Sequence, residues 1–375
     1  MASARPTVRE PAVREPAVRE PGRPFSDAAN RGEPALLRVL RLNKLALAVD
    51  AAALDVPGST GDEVRRWQAA YRLRTLEINA RNIAASGEVH RALGEAGIAH
   101  LFFRGPLQQA SLYGDPALRP SGDVDVLVAP RDFAAALRAL AKHGFEPLHG
   151  QRLWWAAFVG ERHLARAGTA GGAGTAGGTG AAGGTVVDLH HRVHQPGSLG
   201  PRDVGALLRD ATLQDLAGRN LPVPDAAGVA LLAAINVAKG FVHREHLGAA
   251  LWDFDAARRR VSRERAVAEQ GLDTTWDFAS RLCDAVFGPF GPGGGEAVPP
   301  LDGLSGSDLA VMTLAPEAAP GRPRRRAVLG YLCRGRPVRL VREALWAAAG
   351  EATRRLTEPG AFSAPRLPAA AGEPA

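Results

Sequence analysis

The sequence predicts an α/β fold: a small mixed-sheet core flanked by helical regions on its N- and C-terminal sides. Three observations carry this expectation. Short apolar, strand-like runs at 98–103 and 124–128 enclose a glycine turn and a short helical stretch. A third such run, Val186-Val-Asp188-Leu-His190, follows a Gly/Ala/Thr tract. Long stretches with helical spacing of apolar residues lie on both sides of this group.

Taken in order, residues 1–30 repeat Val-Arg-Glu-Pro and can form no apolar face, so they read as a disordered tail. Residues 31–97 read as N-terminal helices. One is expected over 34–54 and a longer one over 62–97, carrying Trp67, Tyr71, Leu76 and Ile83. The core is expected over 98–195. After the strand at 98–103 come the turn Arg104-Gly105-Pro106, a short helix at 107–113 and the strand at 124–128. A helix at 130–143, a short strand at 145–148 and one arm of a hairpin at 161–166 follow. The tract 168–184 contains only Gly, Ala and Thr, lacks the lysine of a phosphate loop, and reads as an insertion in that hairpin. It makes 161–166 and 185–190 expected antiparallel neighbours. Beyond Pro201 the chain is expected to be helical: 203–213, 226–242 and 249–261 within a helical domain over 196–287. Residues 288–375 read as a Pro/Gly/Arg-rich linker, with Arg322-Pro-Arg-Arg-Arg326 solvated in it. A final amphipathic helix at 338–356 presents Leu340, Val341, Leu345 and Trp346 and is expected to dock on the body.

Asp123 and Asp125 are the most informative residues. On a strand they point the same way, because side chains alternate with period two. Paired carboxylates repel and resist desolvation, which favours a cation between them. The glycine turn leading into a helix suits a phosphate.

The run Phe103-Arg-Gly-Pro106, then Leu112-Tyr-Gly-Asp-Pro-Ala-Leu-Arg-Pro120, then Asp123-Val-Asp125-Val-Leu-Val128, closed by Asp188-Leu-His190, resembles a family of uncharacterised bacterial nucleotidyltransferase-like proteins. That family lies within the DNA polymerase β nucleotidyltransferase superfamily, and the likeness spans roughly residues 93–194. Two departures stand out: Gly105-Pro106 replaces the Gly-Ser of better-studied members, and Arg104 stands where the family usually has lysine. The resemblance implies transfer of a nucleoside monophosphate from an NTP to a hydroxyl. Such chemistry uses carboxylate-held divalent ions, Mg²⁺ or Mn²⁺. Asp123 and Asp125 are the expected metal ligands, and Asp188 the acceptor-side ligand or general base. Arg104, Gly105, Arg119 and Lys239 are candidate phosphate contacts, with His190 in support beside Asp188. ATP is the expected nucleotide on cellular abundance alone, and the hydroxyl acceptor is unspecified: a small molecule, peptide or protein. The alternative is a catalytically degenerate relative that binds a nucleotide or a protein partner in an antitoxin-like role.

Composition narrows the classes further. The formal charge is +7, yet arginine is scattered and Lys44, Lys142 and Lys239 are the only lysines, so nucleic acid is not an expected partner. Cys283 and Cys333 are too few for a disulfide framework, which makes a reducing cytoplasm the expected setting. No apolar run is expected to reach the roughly 18 residues of a membrane span. His190 and His191 would face opposite ways on a strand, which argues against a shared zinc ion.

Overall fold

A computed structural model describes residues 35–50, 56, 59–148, 155–166, 185–267, 269–288, 306–316 and 324–357. The readings of 1–30 and of 168–184 fall outside them, as do the parts 289–305 and 317–323 of the Pro/Gly/Arg-rich linker. Helix α1 (Ala35–Leu42) is shorter than expected. The Asn43 amide donates to Val39 O at 3.0 Å and to Leu314 O at 2.8 Å, and Lys44 takes φ 56°, which no helix can continue.

Helix α2 (Gly61–Glu95) starts at a reciprocal cap: Thr60 N donates to Glu63 Oε2 at 2.6 Å and Glu63 N to Thr60 Oγ1 at 3.3 Å. It is followed by β1 (His100–Phe102), α3 (Gly105–Tyr113) and β2 (Asp123–Val128). After a 3₁₀ turn at Pro130–Asp132 come α4 (Phe133–Lys142), β3 (Phe145–Pro147), a π-helical turn at Trp155–Val159, β4 (Glu161–Arg166) and β5 (Val186–His190). The five strands form one mixed sheet in the order β1-β2-β5-β4-β3, in which only β2 and β5 run parallel. The antiparallel pairing of β4 with β5 is present, from Glu161 opposite His190 to Ala165 opposite Val186.

Alternation divides this sheet into two faces. Phe102, Val124, Val126, Leu164, Val187 and Leu189 join Val89 and Leu93 of α2 and Ala136 and Leu140 of α4 in one apolar layer. On the other face, Leu101, Phe103 and Leu127 merge into the core of the C-terminal helices. Buried amides of α2 fix the approach to β2. Asn79 Nδ2 donates to the carbonyls of Pro116 (2.7 Å) and Arg119 (2.9 Å), and Asn82 Nδ2 to those of Ser121 (2.9 Å) and Asp123 (3.1 Å).

The C-terminal part comprises α5 (Val204–Arg209), β6 (Thr212–Leu216), β7 (Arg219–Val223), α6 (Ala226–His243), α7 (Gly248–Arg258), α8 (Arg263–Val267), α9 (Asp273–Phe287), α10 (Gly306–Leu314), α11 (Arg324–Leu332) and α12 (Pro337–Thr357). The helix expected at 203–213 is corrected to a one-and-a-half-turn helix followed by a β-hairpin. Alternation explains the hairpin: Leu221 and Val223 are buried in the sheet's apolar layer while Leu213 is 70% exposed. Its two-residue turn needs positive φ at both positions, which Ala217 (54°) and Gly218 (73°) supply. The linker reading of 322–326 is corrected from Arg324 on, where helix α11 opens.

Helix α6 is long and apolar enough to cross a membrane by length and composition, but 72% of it is buried inside the protein, as a core helix would be. Helix α12 docks through the side bearing Leu340, Glu343 and Gly350, while Val338, Val341, Leu345 and Leu356 stay exposed. The Ala217 side chain sits in a left-handed conformation that asparagine tolerates better. Ala217→Asn should raise stability by roughly 0.5–1 kcal/mol, read as a higher urea midpoint at unchanged slope.

Candidate metal and phosphate site

Strand register assembles the site. Asp125 of β2 lies opposite Asp188 of β5, and Asp188 in turn lies opposite His163 of β4. His190 lies opposite Glu161. Period-two alternation then places Asp123, Asp125, Asp188, His190, Glu161 and His163 on one face. The three strands repeat one pattern, an acid followed two residues later by an acid or a histidine: Asp123-x-Asp125, Glu161-x-His163 and Asp188-x-His190.

These groups are interlocked. His190 donates from Nε2 to Asp125 Oδ1 at 2.9 Å and its Nδ1 lies 3.5 Å from Glu161 Oε2. His163 Nδ1 donates to Asp188 Oδ1, and its Nε2 is 3.6 Å from Glu161 Oε1. One ligand atom each from Asp125, Asp188 and His190 lies within 4.8 Å of the others, a spacing that one cation could bridge. Asp123 is next to this trio and not part of it. Burial, Asp125 and Asp188 together push its carboxyl up to about 7. Burial acts the same way on Asp125, but Arg104 and the His190 hydrogen bond hold it below the usual carboxylate range. Burial opposes protonation of His163, and Asp188 overrides it, raising the imidazole to about 9. A divalent ion fits this donor set, because it would supply the counter-charge that imidazolium and guanidinium groups supply in its place.

The cationic side comes from separate elements. Arg104 caps α3 at φ 68°, a conformation costly for any residue but glycine. Gly105 follows at φ 60°, where a Cβ would lie 3.0 Å from Ser121 Oγ. This turn lays the Arg104 guanidinium over the Phe103 ring and 3.2 Å from Asp125 Oδ1. Lys239 of α6 is close enough to help hold Asp125 ionised. Lys44, beyond the end of α1, acts on Asp123 and on Asp253.

Arg119 is placed differently from the other expected phosphate contacts. It is buried, paired with Asp253 of α7, and its backbone is held by Gln109 and Asn79. Asp253 also accepts from Gln108 Nε2 at 2.8 Å and from the Tyr113 hydroxyl at 3.0 Å. Arg119 Nη1 is buried with no partner among the described residues. His191 turns away from the site, as alternation requires, and donates from Nε2 to Ala156 O at 3.0 Å. Asp255, of the same helical region, pairs with Arg258 and Arg259.

Sequence reasoning passed over Glu161 and His163 as site residues, although their i, i+2 spacing repeats that of Asp123 and Asp125. It also passed over Lys44 and Asp253, which reach the site only through tertiary packing. Asp253→Ala should leave Arg119 and Tyr113 without their buried acceptor and cost about 3–5 kcal/mol. Denaturant unfolding would measure the loss, and Asp253→Asn should recover part of it.

A family model described as an uncharacterised nucleotidyltransferase matches residues 32–284. No curated protein matches the chain. The matched stretch covers more than half of the sequence and contains every residue of the site, from Lys44 to Asp253, so the chain belongs to this uncharacterised nucleotidyltransferase family.

Proposed function

We propose that the protein is a divalent-metal-dependent nucleotidyltransferase that moves an NMP from an NTP, ATP foremost, to a hydroxyl of a small molecule, peptide or protein. The observation carrying this reading is the row Asp125, Asp188 and His190 across adjacent strands, with Asp123 beside it and Arg104 and Lys239 against it. In this reaction the acceptor oxygen bonds to the α-phosphorus, the bond from that phosphorus to the bridging oxygen breaks, and pyrophosphate leaves with the electron pair. Mg²⁺ or Mn²⁺ would neutralise the phosphate oxygens and stabilise the leaving group.

Asp123, Asp125 and Asp188 are the proposed ligands, and the geometry adds His190 to the candidates. Asp188, hydrogen-bonded to His163, is positioned to take the acceptor's proton. Before metal binds, His190 orients Asp125 through its 2.9 Å bond, and ligation by that nitrogen would displace its proton. Arg104, Lys239 and the turn at Gly105 are the proposed triphosphate contacts, and Arg119 retains only its free Nη1 for that purpose. The proposed catalytic unit is 98–195, and the cytoplasm is the proposed setting, which suits two free, buried cysteines.

One observation favours a second reading, a nucleotide-binding relative without turnover. Pro106 offers neither a hydroxyl nor an N–H at the turn, and Arg104 already pairs with Asp125.

Thermal unfolding with each NTP, with and without Mg²⁺, tests binding, and pyrophosphate release in the presence of varied hydroxyl acceptors tests turnover. A nucleotide at 100 times its Kd should stabilise the wild type by about 2.7 kcal/mol. That shift should require the metal, and Asp123→Asn/Asp125→Asn should abolish both the shift and the transfer while remaining folded. Retained transfer in the variant would overturn the assignment. A metal-dependent shift without pyrophosphate release would favour the second reading.

A further inference from the structure

Four arginines converge on a groove that shares no residue with the carboxylate site. The first turns of α12 and the segment after β5 border a partly open groove of about 560 Å³, lined by Arg202, Arg336, Arg339 and Arg342 together with Gly200 and Val338. Their charges are incompletely answered. Arg336 reaches Asp273 at 3.4 Å, but Asp273 also lies 3.6 Å from Arg263. Arg342 pairs with the neighbouring Glu343 at 2.9 Å while remaining 71% exposed.

Arg339 spends its Nη atoms on backbone carbonyls, Gly271 O at 2.8 Å and Gly200 O at 3.1 Å, and meets no carboxylate in those bonds. Its Nε is buried without a partner among the described residues. The guanidinium of exposed Arg202 lies against the Gly271 backbone, where a Cβ would come within 2.6 Å of its Nε. Arg192 adds a fifth positive charge nearby, acting with Arg339 and Arg342 on the half-buried His194. The first turn of α12 carries no acidic residue, so its dipole adds to the positive potential.

Like charges that line one site with fewer carboxylate partners than cations are unfavourable in the empty site and favourable around a polyanion. Guanidinium forks match phosphate oxygens two at a time, and a chain of phosphates offers several such sets of oxygens to several arginines at once. The volume lies within the roughly 300–1,000 Å³ range of small-molecule sites and exceeds what a single phosphate needs.

We propose that this partly open groove binds an oligophosphate anion, either free or carried on a nucleotide, independently of the carboxylate face. The site does not rest on the nucleotidyl-transfer reading, and its test separates the two. Calorimetric titration of the full chain with inorganic triphosphate and with ATP, in excess chelator, withholds the metal that the carboxylate face needs. Binding is expected in the wild type and equally in Asp123→Asn/Asp125→Asn, weakening as salt rises.

In Arg202→Gln/Arg342→Gln the affinity should fall roughly tenfold or more. Both side chains are exposed, and Arg202→Gln alone removes one that makes no hydrogen bond among the described residues, so lost folding cannot explain a loss there. Equal affinities for triphosphate and ATP would identify the phosphate chain as the ligand, and tighter ATP binding a nucleotide. Absence of metal-free binding, affinity unchanged in both arginine variants, or binding of an RNA oligonucleotide alone would overturn the proposal.

Discussion

Repulsion among the carboxylates of one sheet face sets the terms for the surrounding structure. Two unit charges about 4 Å apart in a partly buried setting repel by roughly 4 kcal/mol, comparable to a large share of a domain's net stability. The protein answers with cations drawn from five different places in the fold: Arg104 at the α3 turn, Lys239 on α6, Lys44 beyond α1, and the imidazoles of β4 and β5. The strained backbone at Arg104 belongs to the same account. A left-handed residue at the start of a helix is tolerated where its side chain gains an ion pair and a ring to lie upon.

The helices around the sheet serve this arrangement in different ways. Helix α2 supports the apolar face and, through Asn79 and Asn82, grips the loop that delivers Asp123. Helix α6 is almost wholly core, yet it carries Lys239 to the opposite face of the same sheet. Helix α7 reaches back through Asp253 to Arg119, Gln108 and Tyr113, so the segment between α3 and β2 is held from both sides. Rigidity at the site is therefore distributed over long sequence separations.

Much of this was legible in the sequence because period-two alternation is a local signal. Spacing alone put Asp123 with Asp125 on one face and Asp188 with His190 on one face, the family resemblance joined the two pairs, and the tract between β4 and β5 gave their pairing. Glu161 and His163 carried the same signal but sat in a run with only modest apolar content, which read as a hairpin arm without chemistry. The β6–β7 hairpin was hidden because alanine occupies a turn position where asparagine or glycine would announce it. Asn79 and Asn82 look like surface residues of a helix until the loop they bind is in place. Lys44 was absorbed into an overlong helix, and Arg119 gave no sign that its partner lay 134 residues away.

The mixed sheet also has a bearing on how faithfully the chain can assemble. β4 ends at Arg166 and β5 begins at Val186, and among the described residues their alignment rests on the pairing of Glu161–Ala165 with Val186–His190. A slip of one residue in β5 would drive Asp188 and His190 into the apolar layer and bring Val187 and Leu189 out among the carboxylates. Each face thus proofreads the other. A mispaired molecule would lose its chemistry and its stability in the same step, leaving few folded but inert copies to compete for ligand.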